Sequence, residues 1–235
     1  MTTGIHLRAS GTSANQQEGS YTEARERMVQ WQLRRRGIRD EGVLGAMSRI
    51  PREAFVLPES RRLAYEDGPL PIGGGQTISQ PYMVAVMTAV LQLKASDRVL
   101  EIGAGCGYQA AILSCLSKEV YSVELRPDLA HSAAERLQGL GFANVHVHCG
   151  DGSAGLPDFA PYDAILIAAA APSVPEPLLQ QLGEGGRLVA PVGEPSHQLL
   201  VCARKQANAI AYHWHEGCRF VPLRGKFGWK GLDAL

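Results

Sequence analysis

The sequence predicts an α/β protein: a mostly parallel, twisted sheet with helices on both faces, closed on its C-terminal side by an antiparallel hairpin. Three observations carry this. From Arg98 to about Leu182, short apolar runs alternate with helix-like segments, the order that builds parallel strands through crossover helices. One of those runs, Val99-Leu100-Glu101-Ile102, passes straight into Gly103-Ala104-Gly105-Cys106-Gly107 and then into a helical pattern beginning at Tyr108. A strand, a glycine-rich turn and a helix in that order make the nucleotide-binding corner of a doubly wound, Rossmann-like sheet. After Gly186 the helix patterns cease and strand-like segments cluster.

Residues 1–20 are polar and rich in Gly, Ser, Thr, Asn and Gln, and are expected to form a disordered extension. Residues 21–235 are expected to form a single domain. Within it, 21–80 should supply N-terminal helices and a covering arm, and 81–235 the α/β core with its C-terminal strands. Met28, Val29, Trp31 and Leu33 lie among arginines in a helix that should end at Gly37. A second helix spans about 41–48. Residues 52–76 show no clear period, which is long for a structureless connector and suggests a segment that is functional or folded as an arm. Pro81 should start the next helix, with Ser79 as a plausible cap and Met83 and Met87 as core. Strands are expected at 99–102, 120–124, 145–149, 163–169, 187–191, 199–203, 209–214 and 219–223. Helices are expected at 108–113, 127–140 and 178–182, and Gly183-Glu184-Gly185-Gly186 reads as a turn.

The glycine spacing selects the ligand. Dinucleotide binding asks for G-x-G-x-x-G, which would need glycine at position 108, where Tyr108 stands. The third glycine comes one residue early, at Gly107, and Glu101 precedes the turn. Glu-x-Gly-x-Gly-x-Gly is the pattern of S-adenosylmethionine methyltransferases, in which the backbone must lie flat against the ligand. The next apolar run ends in Glu124, placed to accept both ribose hydroxyls. Alone, Glu124 could equally be a surface acid closing a strand; the glycine turn upstream favours the ribose role. Asp151 would reach the adenine amino group and Gly152 would let the ring pass, although Asp-Gly is a strong turn signal anywhere.

Composition limits the rest. Of 235 residues, 45% are hydrophobic, and 23 Lys+Arg balance 23 Asp+Glu. Zero net charge gives no basic field for nucleic acid, and no apolar run is long enough to span a membrane. No secretory leader is read at the N-terminus, and five cysteines without a C-x-x-C pair fit a reducing cytoplasm without a disulfide framework or zinc site. The His146/His148 and His213/His215 pairs have strand spacing and are read as ordinary residues, so no metal is expected.

Gly75-Gln76-Thr77-Ile78-Ser79-Gln80-Pro81-Tyr82-Met83 closely resembles the protein-L-isoaspartate O-methyltransferase family. The resemblance runs from about residue 21 to 223. It takes in Leu70-Pro71-Ile72-Gly73, the glycine turn, Gly150-Asp151-Gly152, Pro161-Tyr162-Asp163-Ala164-Ile165, the alanines 168–171 with Pro172, Gly185-Gly186-Arg187-Leu188 and Arg219-Phe220-Val221-Pro222-Leu223. It implies methyl transfer from S-adenosylmethionine to the free carboxyl of isoaspartyl residues in damaged proteins, by a monomer. It further implies that Ser79 is the active-site hydroxyl and that Ile72, Gly73, Gly74, Gly75, Glu101, Gly103, Gly105, Gly107, Glu124, Asp151 and Gly152 contact the cofactor. Gln76, Thr77, Ile78, Val221 and Arg224 would meet the substrate. The chain departs from the commoner pattern at Ala104 and Cys106, which lack two hydroxyls, and at Gly74, where an aromatic residue is frequent. These departures imply altered cofactor affinity.

A carboxylate with a pKa of about 3.3–3.7 is already ionised at neutral pH, so no strong general base is required. Ser79 can orient it, and a helix N-terminus favours an anion; simple capping is the competing role for Ser79. Two other functions remain open at this point: methylation of normal aspartate in a dedicated partner, and a non-catalytic S-adenosylmethionine-binding module. The first would usually carry an added recognition domain. The second would be expected to lose Ser79 or the acids at 101, 124 and 151, and all four are present.

Overall fold

The computed structural model describes residues 11–207 and 209–230, with side chains from Glu18 onward. Helix α1 spans Gly11–Arg27 and passes into a π turn, Met28–Leu33, and a 3-10 turn, Arg34–Arg36. Gly37 ends this run with φ +102°, a left-handed value that favours glycine. The expected disorder over 1–20 is therefore corrected from position 11 on, while 1–10 lie outside the described residues. Ala14, Gln16, Gln17 and Glu18 are good helix formers, and extending a helix anchored by buried Met28, Val29 and Leu33 is far easier than nucleating one. Trp31, expected among the apolar positions, is 60% exposed and carries the Arg35 guanidinium 5.0 Å above its ring. Helix α2, Glu41–Arg49, is capped by Asp40, whose carboxylate accepts from the Val43 N–H.

Residues 52–76 are folded as an arm. It holds 3-10 turns at Arg52–Ala54 and Pro58–Leu63, then strands β1 (Leu70–Gly73) and β2 (Gln76–Ile78), which pair antiparallel across Gly74-Gly75. Both glycines have positive φ, as a tight hairpin turn requires. Helix α3, Pro81–Leu91, is buried along most of its length. Its cap position is Gln80 and no side chain caps it, so Ser79 does not serve as the cap.

The remaining elements alternate as expected: β3 (Arg98–Ile102), α4 (Tyr108–Ser114), β4 (Glu119–Glu124), α5 (Pro127–Gly139), β5 (Val145–Cys149), β6 (Tyr162–Ile167), α6 (Glu176–Gln180), β7 (Leu182–Glu194), β8 (His197–Gln206) and β9 (Ala209–Cys218). The seven strands order as β5-β4-β3-β6-β7-β8-β9, parallel through β7 and antiparallel after it. The chain reverses direction across the sheet between β3 and β6. In such sheets ligands bind at the carboxyl ends of strands beside that point. Two expectations change here. The Gly183–Gly186 turn belongs to β7, as a register irregularity between Tyr162 and Ala164 of β6. A Cβ on Gly186 would meet the Gly183 carbonyl oxygen at 2.8 Å, which explains glycine there. Residues 219–223 form no strand; they make a single parallel bridge between Pro222 and Ala170, in which Ala170 N–H donates to Val221 O and Leu223 N–H to Ala170 O, each at 2.8 Å.

Helices α2–α5 and the α1 extension cover one face of the sheet, and α6 with short 3-10 turns covers the other. On the thin face Tyr121 packs against Phe159, His146 and His148 at 4.6, 5.2 and 6.3 Å between ring centroids. At the amino-terminal edge of the sheet, Arg187 of β7 is nearly sealed from solvent. It donates to Leu91 O (2.6 Å), Gln92 O (2.9 Å), Asp163 O (3.0 Å) and the Asp97 carboxylate (2.6 Å). One guanidinium thus caps α3 and ties it to β6, β7 and the turn before β3.

Glu101 lies in the middle of β3, between Ser122 of β4 and Leu166 of β6, and is fully buried. Burial pushes its carboxyl up to about 8; a hydrogen bond from the Ser122 hydroxyl opposes this, and the Glu124 charge reinforces it. A carboxyl with a raised folded-state pKa stabilises the fold below its unfolded value and loses that contribution as pH rises through the folded value. Stability should therefore decline between about pH 4.5 and 8, by on the order of a few kcal/mol. Glu101→Gln, which cannot ionise, should flatten that decline in denaturant titrations; an unaltered slope would show that Glu101 does not titrate there. Arg187→Ala should cost on the order of 3–5 kcal/mol, because it strands the Asp97 carboxylate. Urea unfolding measures this, and a loss below 1 kcal/mol would remove Arg187 as a clamp.

Candidate active site

A cleft of about 230 Å³ opens at the carboxyl ends of β3, β4 and β6. It is built from segments far apart in the chain. The glycine turn after β3 contributes Gly103, Ala104, Gly105 and Cys106, and the end of β4 contributes Glu124, Leu125 and Arg126. The β2 segment from Gly75 through Gln76, Thr77 and Ile78 to Ser79 forms the opposite wall. Gly152, Ala168 and Ala169 stand at the back, and Val221 to Arg224 close the far side.

The turn has its shape for local reasons. Gly103, Gly105 and Gly107 have φ of +94°, +52° and +89°, which side-chain-bearing residues rarely adopt. A Cβ on Gly105 would sit 3.2 Å from Ile72 Cδ1, so the turn packs directly on the β1 arm. A Cβ on Gly107 would meet Leu137 Cδ1 at 3.0 Å, so this third glycine lets α5 approach. Gly152 matters equally, since a Cβ there would lie 2.8 Å from Ile102 Cγ2. The cleft is therefore walled by bare backbone, as a flat adenosyl ligand requires.

Glu124 binds the turn to β4. One of its oxygens accepts from Gly105 N–H at 2.8 Å and the other from Arg126 N–H at 3.0 Å. A carboxylate has about four acceptor sites, so capacity remains for ligand hydroxyls. A bare-backbone turn with an anchored carboxylate at the next strand end fits an adenosine. Ser79 is half-buried on the cleft wall, and among the described residues its hydroxyl has no hydrogen-bond partner. Its carbonyl accepts from Arg52 Nη2 at 2.7 Å, which fixes the backbone that carries it.

Of the residues the sequence nominated, Gly75, Gln76, Thr77, Ile78, Ser79, Gly103, Gly105, Glu124, Gly152, Val221 and Arg224 line this cleft. Six do not. Ile72 is buried beneath Gly105, and Gly107 packs α5. Gly73 ends β1 and Gly74 lies in the exposed hairpin turn, where a side chain at 74 would collide with Arg126. Glu101 is sealed in the sheet rather than presented to a ligand, because alternation along β3 puts it on the opposite face from Ile102. Asp151 is spent on structure: it accepts from Ser153 N–H, the Ser153 hydroxyl and Lys226 N–H at 2.9, 2.7 and 2.8 Å. Burial raises its pKa, but these bonds outweigh burial and hold the carboxyl below the usual range. Asp151 thus anchors the segment after Arg224, and Trp229 Nε1 adds a bond to Ala170 O at 2.9 Å.

Sequence reasoning missed Leu125, Arg126, Ala168 and Ala169. Each follows directly on a parallel strand, so the carboxyl-end rule would have found them. It also missed Arg52, for which no spacing signal exists.

Comparison with known proteins agrees with this geometry. The family model described as protein-L-isoaspartate(D-aspartate) O-methyltransferase matches residues 23–228. A protein-L-isoaspartate O-methyltransferase of Methanoculleus marisnigri is 55% identical over 207 residues, covering 88% of this chain and 94% of its own. A second, from Pelobacter propionicus, is 58% identical over 208 residues, covering 87% and 92%. A solved protein-L-isoaspartate O-methyltransferase superposes with a TM-score of 0.78 at 34% identity, over 87% of this chain and 67% of its own. A Plasmodium falciparum protein described as a candidate member, solved with S-adenosyl-L-homocysteine, superposes with a TM-score of 0.73 at 26% identity, over 87% and 98%. With its helical arm, glycine turn and closing segment all inside the matched range, the chain belongs to the protein-L-isoaspartate(D-aspartate) O-methyltransferase family.

Proposed function

We infer that this protein methylates the free carboxyl of L-isoaspartyl residues in damaged proteins and peptides, using S-adenosylmethionine and so initiating their repair. The observation that carries this is the meeting of two sequence signals in one cleft. The Gln76–Ser79 segment and the glycine turn with Glu124 face each other across it. Gly103, Gly105, Glu124 and Gly152 would hold S-adenosylmethionine, whose sulfonium centre would supply the methyl group.

The protein's own task is positioning. The attacking carboxylate arrives ionised, so no residue need remove a proton. Ser79 offers a hydroxyl donor on a backbone that Arg52 immobilises. Alignment of this kind can supply about 7–11 kcal/mol of barrier lowering. Leu223, the half-buried Val221 and Ile78 are apolar and limit water around the reacting groups. Gln76, Thr77, Val221 and Arg224 stand where an extended peptide could lie. The substrates are proteins and peptides, not nucleic acid or membrane; the enzyme acts as a monomer. The cytoplasm is the proposed compartment, in keeping with five free cysteines.

Labelled methyl transfer to paired isoaspartyl and aspartyl peptides tests the reading: only the isoaspartyl peptide should gain label, and equal labelling would overturn it. Ser79→Ala should lower turnover by about 10²–10³. Its melting temperature should hardly move, since the hydroxyl caps nothing. Full turnover in this variant would leave Ser79 without a catalytic role. Glu124→Ala should weaken cofactor binding by about 1.5–3 kcal/mol, the range for hydrogen bonds to a charged group. Calorimetric titration checks this; wild-type affinity in a folded variant would remove Glu124 from the ribose site.

A further inference from the structure

Arg52 is a buried cation without a counter-ion. Its side chain is sealed from solvent. Nε donates to Ala64 O at 2.7 Å and Nη2 to Ser79 O at 2.7 Å. Its guanidinium carbon lies 4.9 Å from the centroid of the Tyr108 ring. Nη1 and the Tyr108 hydroxyl are both buried; the guanidinium and the phenol interact, but short of a well-formed hydrogen bond, and neither atom has another partner among the described residues. No carboxylate of the described residues forms an ion pair with Arg52. Burial disfavours its charge, and only the neutral groups of Tyr108, Cys106 and Tyr65 stand close enough to offset this. Arginine nevertheless stays protonated in proteins.

Neutral donors could satisfy two backbone carbonyls. A guanidinium placed there carries a desolvation cost that two carbonyls and an aromatic face offset in part, and a nearby anion would offset further. Ser79, Tyr108 and Cys106 line the cleft on one side and surround Arg52 on the other. The charge therefore sits one layer behind the wall where the substrate carboxyl is to be held. The other cations lining the cleft differ. Arg126 is paired with Asp128 at 2.9 Å, and Arg224 stands on the closing segment.

We propose that Arg52 is a positioning and specificity residue that makes the cleft prefer an anionic carboxyl group over a neutral one, acting through the Ser79 backbone and the Tyr108 wall. This rests on the methyltransferase reading above. The attacking carboxylate loses its charge as the ester forms. Arg52 therefore assists substrate binding rather than the chemical step, and its attraction vanishes once the product is neutral. One fixed charge would both select the acid and release the ester.

The test measures binding, so it stays separate from turnover. Wild-type protein loaded with S-adenosylhomocysteine is titrated with an isoaspartyl hexapeptide and with the same peptide carrying a carboxamide in place of the free carboxyl. Wild type should prefer the acid by on the order of ten- to thirtyfold, the scale of one charge pair several ångströms apart. Arg52→Gln should bring the ratio near one by weakening the acid alone, leaving carboxamide and S-adenosylhomocysteine affinities unchanged. Arg52→Lys should retain most of the ratio, and in Arg52→Gln the rise in KM for the isoaspartyl peptide should exceed any fall in kcat that follows from loosening the Ser79 backbone. Equal binding of both peptides by wild type overturns the proposal. So does parallel weakening of both peptides in Arg52→Gln, which would mark a purely scaffolding role. If Arg52→Gln does not fold, Arg224→Gln decides: a preserved ratio supports Arg52, and a collapsed ratio assigns the selectivity to Arg224. Absence of methyl transfer to the isoaspartyl peptide, with the acid preference intact, would instead count against the proposed activity.

Discussion

The clamp that Arg187 makes at the amino-terminal edge of the sheet governs how the opposite edge is laid out. It holds the last carbonyls of α3, the Asp97 carboxylate and the start of β6 in one cluster. Helix α3 runs from there toward the cleft for eleven residues, about 16 Å at the α-helical rise. Its first turn follows directly on Ser79. The separation between Ser79 and the glycine turn is thus set by a rigid rod fixed at its far end. Close-packed interiors transmit such constraints because they cannot deform continuously.

The protein holds two buried arginines that illustrate opposite solutions to one problem. Arg187 has a carboxylate partner and serves the scaffold. Arg52 has only carbonyls and an aromatic face, and stands behind the cleft wall. Burying a charge costs several kcal/mol in either case. At the clamp the return is structural and internal. Behind the wall only neutral groups offset it, and the remainder is what the proposed attraction to a substrate carboxylate draws on.

Much of the fold could be read from residues because central parallel strands such as β4 and β6 are buried on both faces and appear as largely apolar runs, while the edge strand β5 shows the alternation of a half-exposed one. The glycine turn was equally legible, since positive φ leaves little choice of residue. The β1–β2 hairpin carried its signal in Gly74-Gly75 between short extended segments, yet proline and glycine around it masked any period. Residues 219–223 look like a strand in composition, but their pairing stops at one bridge to Ala170 and the segment closes the cleft instead. Glu101 and Asp151 show the limit of motif reasoning. Both lie in the expected places, and neither side chain lines the cleft, because the facing of Glu101 and the bonds that engage Asp151 are decided by the neighbours. Arg52 could not be found from spacing at all, as its significance comes from what surrounds it in space.

The closing segment has a consequence for biosynthesis. Val221, Pro222, Leu223 and Arg224 form one side of the cleft, and bonds from Lys226 and Phe227 to Asp151 and Ser153 hold them there. The glycine turn leaves the ribosome more than a hundred residues before this wall exists. A nascent chain can therefore lay down β3 to β6 and pack both faces while its ligand groove is still open along one side. Cofactor retention becomes a late event of synthesis, coupled to the docking of Trp229 on Ala170. A ribosome stalled before that point would display a folded sheet with little hold on its methyl donor.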